Sequence, residues 1–382
     1  MIPYSKQSIN KKDISIVAKV MRSSLLTQGK SLDSFETQLA KFVGAKFAVA
    51  VSSASAGLHI SCLALNVNKK DIVWTVPNTF VASASCALHC GAKVDFVDID
   101  ENTLNISIEK LEKKLSKISK KKRPSVVIPV HFAGQPNEQE KLYKLSKKYN
   151  FKIIEDASHS LGASRNKEKV GSCKWSQLTV FSFHPVKPIT TAEGGVITTN
   201  SEKLYEKLKL LRNHGISRDY KKLKFKSFWY YEQIILGFNY RMNEIQAALG
   251  MSQLRRIKRF NDFRNKIAKN YLKKLKNLPI KLPFIQKGNN STYHLFVINF
   301  DEKKVKKSYD QIYKELRKNN IGVNLHYLPV HLQPIFKKFK FKKGDFPSAE
   351  KHARTAFSLP IYHKLSNKDQ NKVIRVLKDV FS

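Results

Sequence analysis

The sequence predicts an α/β protein: a large domain with a mostly parallel central sheet and a smaller C-terminal α+β domain. Short apolar runs alternate with helical patterns from about residue 34 to 215, as in strands joined by crossover helices. Near residue 244 this pattern gives way to a long helical stretch. A chain of 382 residues also exceeds what a single hydrophobic core usually organises. We therefore expect two domains, at residues 1–250 and 251–382.

The elements of the large domain follow from periodicity and from the turn residues at their ends. Strands are expected where Val, Ile, Phe and Ala form short runs, and helices where apolar residues recur three or four positions apart. The predicted strands are 46–52, 72–76, 93–99, 125–132, 151–158, 177–184 and 194–200, and the predicted helices are 34–44, 55–67, 79–91 and 138–150.

The C-terminal part has fewer elements and a different order. Its patterns predict a long helical stretch that bridges the domains, then strand, helix, strand and a closing amphipathic helix. These elements are predicted at 243–275, 293–300, 308–320, 321–328 and 367–381.

The charge balance is strongly basic, with 70 Lys and Arg against 30 Asp and Glu, a formal net charge of +40. Nucleic-acid binding would need these charges gathered in one patch. The lysines are instead spread over polar helix faces, as in residues 110–124, and alternate with apolar residues. This distribution favours solvated surfaces and no nucleic-acid partner. A second hypothesis stays open, that part of this positive charge attracts an anionic substrate.

No stretch is apolar enough to span a bilayer, and the N-terminal residues lack the apolar core of a secretory signal. We therefore expect no membrane association and a cytoplasmic location. The four cysteines do not form a disulfide framework. Cys86 and Cys90 flank His89, but no second pair with metal-ligand spacing accompanies them, so no metal site is predicted.

Reactive residue types follow several predicted strands. In open parallel sheets, ligands bind at the carboxyl ends of the strands. The strand core KIIE (152–155) is followed by Asp156 and His159, and the strand core LTVFSF (178–183) is followed by the loop that contains Lys187. Pro188 follows the lysine and disfavours a helical conformation there, which puts Lys187 on a defined loop.

Together these residues match the needs of pyridoxal 5'-phosphate (PLP). This cofactor requires an amine for a Schiff base, an anion beside the pyridine nitrogen, a phosphate cradle and an aromatic face. Lys187 and Asp156 supply the first two, and Phe80 supplies the ring. The amides of Ala54 and Ser55 open a predicted helix and form an anion site, and the Ser182 hydroxyl, five residues before Lys187, is a further candidate for the phosphate.

The order of the motifs resembles the DegT/DnrJ/EryC1/StrS sugar aminotransferases, of the fold-type I PLP superfamily. FSFHPVKPITTAEGGVITTN resembles the lysine-bearing motif of that family, and EDASHSLGA resembles its Asp motif. PNTFVASA, PVHFAGQP, LRNHG, GFNYRMNEIQAALG and SLPIYHKL resemble further blocks in the same order. The resemblance runs from about residue 26 to the C-terminal helix.

The resemblance implies a role for each of these positions. His159 would contact or pack against the 3-oxygen of the ring, where many relatives have Gln. Asn239 would reach the cofactor phosphate of a neighbouring subunit, which implies a homodimer with shared active sites. The implied cofactor-binding set is Ala54, Ser55 (often Thr in the family), Phe80, Asp156, His159, Ser182, Lys187 and Asn239, with Lys187 as the catalytic residue.

Three segments together resemble a particular branch of the family: LTQGK, FHPVKPITTAEGG and WYYEQIILGFNYRMNEIQAALG. That branch acts in pseudaminic acid biosynthesis and moves an amino group from L-glutamate to C4 of a UDP-4-keto-6-deoxy-N-acetylhexosamine. The loops expected to decide substrate specificity are LTQGK, SFWYYEQ and NLHYLPVH. The candidate substrate-binding residues are Thr27, Gln28, His326 and Tyr327, although His326 fits a domain-interface histidine equally well.

Two alternatives remain. The first is amination of another keto nucleotide sugar, such as a dTDP-hexose or a perosamine precursor. The second is a basic nucleic-acid-binding or regulatory protein that has kept a transaminase scaffold. The intact set of Asp156, Ser182 and Lys187 argues against the second.

Overall fold

The computed structural model describes residues 1–219, 223–225 and 227–381 of the chain. The α-helices of these residues are α1 (Lys11–Met21), α2 (Lys30–Val43), α3 (Ala54–Ala64), α4 (Ala82–His89), α5 (Ile108–Lys117), α6 (Gln139–Tyr149), α7 (Glu202–Arg212), α8 (Glu244–Leu254), α9 (Ile257–Lys274), α10 (Tyr309–Lys318), α11 (Pro347–Thr355) and α12 (Asn367–Phe381). The strands are β1 (Phe47–Val51), β2 (Ile72–Thr75), β3 (Lys93–Phe96), β4 (Val126–Val127), β5 (Lys152–Asp156), β6 (Ser164–Arg165), β7 (Glu168–Lys169), β8 (Leu178–Ser182), β9 (Gly195–Thr199), β10 (Ile216–Ser217), β11 (Glu232–Gln233), β12 (Ile280–Lys281), β13 (Asn289–Asn290), β14 (Phe296–Phe300) and β15 (Ala356–Leu359).

The large part of the molecule is built on a central sheet with the strand order β1-β9-β8-β5-β4-β2-β3. The neighbours β8-β5, β5-β4, β4-β2 and β2-β3 are parallel, whereas β9 is antiparallel to both β8 and β1. Parallel neighbours need a crossover connection, but β9 follows β8 after a loop that contains no helix. The expected α/β class with a mostly parallel sheet is confirmed.

Helix α3 follows β1 and packs against the central sheet. Ser53 caps its first turn, because the Ser53 hydroxyl accepts the amide hydrogen of Ala56. Almost every residue of α3 is buried, as expected for a helix enclosed in a core. At Gly57 a β-carbon would lie only 3.0 Å from a methyl group of Val180 in β8, so the small residue lets the helix lie close to the sheet.

The C-terminal part contains a small antiparallel sheet in the order β12-β14-β15. Its core brings together apolar residues of α9, α10 and α12 with the sheet, including Tyr271, Phe296 and Phe357. Ile2 joins this core, so the N-terminal segment packs against the C-terminal part. The division into residues 1–250 and 251–382 stays a prediction.

Two predicted elements differ from the structure. The strand predicted at 321–328 is wrong, because β15 takes the place beside β14 and the backbone of the segment pairs with β15 at a single isolated bridge, Asn324–Ser358. The long helical stretch at 243–275 is two helices, α8 and α9. Arg256 has non-helical angles between them (φ −109°, ψ 2°), and its guanidinium pairs with Asp13 of α1.

Candidate active site

A cavity of about 410 Å³ lies where β5 and β8 end and α3 begins. This is the edge of a parallel sheet at which ligands bind. The sequence-predicted residues that line the cavity are Ala54, Ser55, Phe80, Asp156, His159, Ser182, Lys187, His326 and Tyr327.

Lys187 lies in the loop between β8 and β9. Its amide bonds to the carbonyl of His184 at 2.9 Å, and the amide of Thr191 returns to the carbonyl of Phe183 at 3.0 Å. Burial lowers the pKa of the Lys187 amine to about 8, although the nearby Asp156 carboxylate acts in the opposite direction. A larger fraction of this amine is therefore uncharged near neutral pH than for an exposed lysine, as a nucleophile requires.

Asp156 is the last residue of β5 and is buried. One carboxylate oxygen accepts from the amide and hydroxyl of Ser158, at 3.1 and 2.6 Å. The other accepts from the hydroxyl of Ser83 at 2.6 Å. These donors are neutral, and no ion pair of Asp156 is found within the described residues. A buried carboxylate held this way suits a cationic ligand group, such as a protonated pyridine nitrogen.

The first turn of α3 faces the same cavity, with Ser53, Ala54 and Ser55 along its wall. The first amides of a helix have no acceptor inside the helix, and they attract anions. Gly195 of β9 lies directly behind this turn, because a β-carbon there would be 2.7 Å from the Ala54 amide nitrogen. Gly195 pairs with Ser182 of β8, which brings the Ser182 hydroxyl to the same region.

The rings of Phe80 and His159, both predicted to contact the cofactor, lie in the cavity lining. The Phe80 ring is exposed and the His159 ring is buried. Phe80 is 57% exposed, so a face of its ring is available for stacking. His159 is buried, and both of its ring nitrogens have partners: Nδ1 accepts the Ala133 amide at 3.3 Å, and Nε2 meets the Tyr327 hydroxyl at 3.1 Å.

Another part of the cavity lining consists of polar side chains from segments without regular secondary structure. These segments are the N-terminal segment and residues 324–327. Here lie Tyr4, Asn324, His326 and Tyr327. Burial lowers the pKa of His326 to about 3, so this imidazole is neutral, and its Nδ1 is 2.7 Å from the Ser358 hydroxyl. We call these four residues the polar wall.

Sequence reasoning missed four residues of this site. Ser83 and Ser158 hold the Asp156 carboxylate, and Tyr4 and Asn324 belong to the polar wall. Ser158 could have been predicted, because it lies two positions after Asp156 and Asp side chains often accept a hydrogen bond from the backbone amide two residues ahead. Asn324 begins NLHYLPVH, the segment that supplied the candidates His326 and Tyr327, but it was not predicted itself. Tyr4 lies in a segment whose sequence shows no link to the cavity.

Three predicted residues lie away from the cavity. Thr27 and Gln28 are exposed in the loop before α2, and Asn239 is exposed beside its bridge partner Asn213. None of them lines the cavity of this single chain.

The described residues form a second cavity, but no metal cluster and no membrane span. A cavity of about 470 Å³ lies between the small sheet and α11, but its Lys281 and Lys351 already bond to Glu101. No cluster of three or more His, Cys, Asp or Glu within the described residues is arranged to hold a metal ion. Among the same residues, no helix is long and apolar enough to cross a membrane.

An enclosed lysine on a loop after a strand, a buried carboxylate and a helix N-terminus therefore converge at the edge of a mostly parallel sheet. This arrangement defines the class of PLP-dependent enzymes of the α/β type. The amine suits the aldehyde of the cofactor, the carboxylate suits its pyridine nitrogen, and the helix N-terminus suits its phosphate.

The chain belongs to the DegT/DnrJ/EryC1/StrS aminotransferase family, which residues 7–378 match. It is 39% identical to an uncharacterized protein of Methanocaldococcus jannaschii, covering 100% of this chain and 98% of the relative. It is 37% identical to a UDP-4-amino-4,6-dideoxy-N-acetyl-beta-L-altrosamine transaminase of Campylobacter jejuni, covering 97% and 94%. Among solved structures, Helicobacter pylori PseC, an aminotransferase involved in the biosynthesis of pseudoaminic acid, has a TM-score of 0.90 and 33% identity, covering 100% and 99%.

The protein is thus a PLP-dependent sugar aminotransferase, as predicted. Solved relatives include the PLP form of a putative sugar aminotransferase from Streptococcus pneumoniae, with 26% identity, coverage of 100% of both chains and a TM-score of 0.89. The cavity fits PLP in the chemistry of its groups, since it offers an amine of lowered pKa and a carboxylate that accepts hydrogen bonds from neutral serine donors.

Proposed function

We propose that this aminotransferase moves an amino group from L-glutamate to C4 of a UDP-4-keto-6-deoxy-N-acetylhexosamine. The observation that carries the chemistry is the placement of the Lys187 amine in one cavity with Asp156 and the N-terminus of α3. The choice of sugar is supported by the likeness to the Campylobacter transaminase and to the Helicobacter aminotransferase.

Each residue of the site has a proposed task. When bound, PLP carries the amino group and withdraws electrons from the carbon that loses a proton. Lys187 holds the cofactor and moves that proton as general acid and base. Asp156 keeps the pyridine nitrogen protonated, and Phe80 covers one face of the ring.

The remaining contacts are to the phosphate and to the sugar. The amides of Ala54 and Ser55 and the Ser182 hydroxyl bind the phosphate. The polar wall, with His326 and Tyr327, contacts the sugar. Thr27 and Gln28 are proposed as further substrate contacts, although they lie outside the cavity of a single chain.

We also propose a homodimer in which Asn239 reaches the cofactor phosphate of the partner. Asn239 lies near a large exposed apolar segment, which a second copy would cover. Its exposed residues are Phe225, Phe228, Trp229, Tyr231, Ile234 and Leu236, at 51% to 95%. A cytoplasmic location stays a prediction.

The test uses purified protein loaded with PLP and supplied with L-glutamate and a panel of UDP- and dTDP-linked 4-keto sugars. Mass spectrometry and NMR of the products identify the aminated sugar and the configuration at C4. We expect 2-oxoglutarate and one amino sugar in equal amounts, from the UDP-linked N-acetylated substrate. Conversion of only dTDP-linked or non-acetylated sugars would overturn the choice of substrate. The protein with Lys187→Ala is the matched inactive control.

A further inference from the structure

The hydrogen bonds of His159 determine which of its ring nitrogens carries the proton. Nδ1 accepts the amide hydrogen of Ala133 at 3.3 Å, so Nδ1 is unprotonated. Burial, reinforced by the nearby Lys187, holds the pKa of His159 well below its usual value, so the ring is neutral. The single proton of a neutral imidazole must then be on Nε2.

This tautomer determines the role of Tyr327. The Nε2–H of His159 donates to the Tyr327 hydroxyl oxygen, 3.1 Å away. Burial, with Asp156 adding to it, raises the pKa of Tyr327, so the hydroxyl keeps its hydrogen. Within the described residues, His159 is the hydrogen-bond partner of this hydroxyl, and because His159 is the donor, the hydroxyl hydrogen has no acceptor among these residues. That hydrogen is available to a ligand in the cavity.

The position of the Tyr327 ring is fixed from several sides. Its backbone amide bonds to the Asn78 side-chain oxygen at 3.0 Å. The rings of Phe80 and Phe132 each lie 6.4 Å from its centroid, and the His159 ring lies 6.2 Å away at an angle of 21°. The hydroxyl therefore points in one direction with little freedom to turn away.

We propose that Tyr327 donates its hydroxyl hydrogen to the ketone oxygen of the bound sugar. His159 is the positioning residue, because its Nε2–H donates to the Tyr327 oxygen and so leaves the hydroxyl hydrogen free to be donated to the sugar. The inference rests on the proposed function, because the acceptor is the oxygen on the carbon to be aminated. A ketone oxygen is an acceptor only, which matches a hydroxyl that can only donate. Glutamate enters with an amine on its reacting carbon and becomes a ketone only as the product 2-oxoglutarate, so the contact with an entering ketone belongs to the sugar half of the reaction.

The first test separates the two half-reactions in single turnovers followed by the absorbance of the bound cofactor. With Tyr327→Phe we expect the sugar half-reaction to slow about tenfold, the effect of one lost hydrogen bond. The glutamate half-reaction should change less than about twofold on the same grounds. Equal slowing of both half-reactions, or no slowing of the sugar half, would overturn the proposal. Tyr313→Phe, on the outer side of α10 and 37% exposed, is the matched control.

The second test asks whether His159 acts through Tyr327. The variants Tyr327→Phe, His159→Phe and the double variant form a cycle on the sugar half-reaction. We expect the double variant to be no slower than the slower single variant, because both changes remove the same directed hydrogen. If the slowing of the double variant equals the product of the slowing in the two single variants, the positioning role of His159 is overturned.

A third measurement needs no catalysis and no folded His159→Phe protein. Nitrogen-15 NMR of histidine-labelled, cofactor-free protein reports the tautomer of each buried ring. We expect His159 in the Nε2–H form at neutral pH, and the Nδ1–H form or a charged ring would overturn the inference. A wild type that aminates none of the sugars would overturn the proposed function instead. A wild type that aminates a sugar while Tyr327→Phe does so equally well would overturn only the inference.

Discussion

The cavity has two sides that are held in place by different means. The side at the strand ends carries Asp156 at the end of β5 and Lys187 on the loop between the paired strands β8 and β9, and Asp156 alone accepts three hydrogen bonds. The polar wall comes from the N-terminal segment and residues 324–327, which belong to no strand and whose backbone pairing is limited to isolated bridges. The first side offers the groups that any PLP enzyme needs, whereas the second offers hydrogen-bonding groups suited to a sugar. We infer that reaction type and substrate choice are carried by separate parts of the fold.

The largest effect is expected at Lys187. Lys187→Ala removes both the nucleophile and the general base, so kcat should fall by at least about 10³-fold with every sugar and with glutamate. Steady-state kinetics checks this, with the exposed Lys269→Ala of α9 as the control. Residual activity above a tenth of the wild type would remove Lys187 from the mechanism.

A smaller loss is expected at Asp156. Asp156→Asn keeps the shape of the side chain but removes the charge, so both half-reactions should slow by about 10²-fold. Single-turnover rates for glutamate and for the sugar measure this. Slowing of only one half-reaction would contradict a separation between the two sides of the cavity.

The pH dependence of cofactor binding tests the amine of Lys187. Only the uncharged amine reacts with the cofactor aldehyde, and burial lowers the Lys187 pKa to about 8. The association rate of PLP with the cofactor-free protein should therefore rise about tenfold per pH unit below 8 and level off above it. Stopped-flow absorbance measures the rate. A rise that continues to pH 10 would show an amine with an ordinary pKa.

The smallest effect is expected in the polar wall. Asn324→Ala removes an amide that contributes hydrogen bonds of about 1 kcal/mol, so the KM for the keto sugar should rise about fivefold. The KM for glutamate should stay the same, as steady-state kinetics with each substrate varied in turn would show. An equal rise in both constants would mean that the polar wall serves glutamate as well.

The same two sides differ in how far the sequence predicts them. Asp156, Ser182 and Lys187 directly follow strands whose apolar runs are clear, so their meeting at one sheet edge could be inferred. Tyr4 and Asn324 reach the cavity through tertiary packing, in which Ile2 and Ile321 form a bridge. The pattern at 321–328 predicts a strand, but β15 takes the place beside β14, so this segment is left to line the cavity. Local sequence shows which residues end a strand, but it does not show which distant loop closes the cavity.

The most direct test of the account is to fix the cofactor in place by reduction and identify the lysine that carries it. The PLP-loaded protein is treated with borohydride, digested and analysed by tandem mass spectrometry. We predict a reduced pyridoxyl phosphate group on the peptide that contains Lys187, and none on any other lysine of this very basic chain. Attachment at a different lysine, or no attachment in a protein that binds PLP, would contradict the assignment of this cavity as the active site.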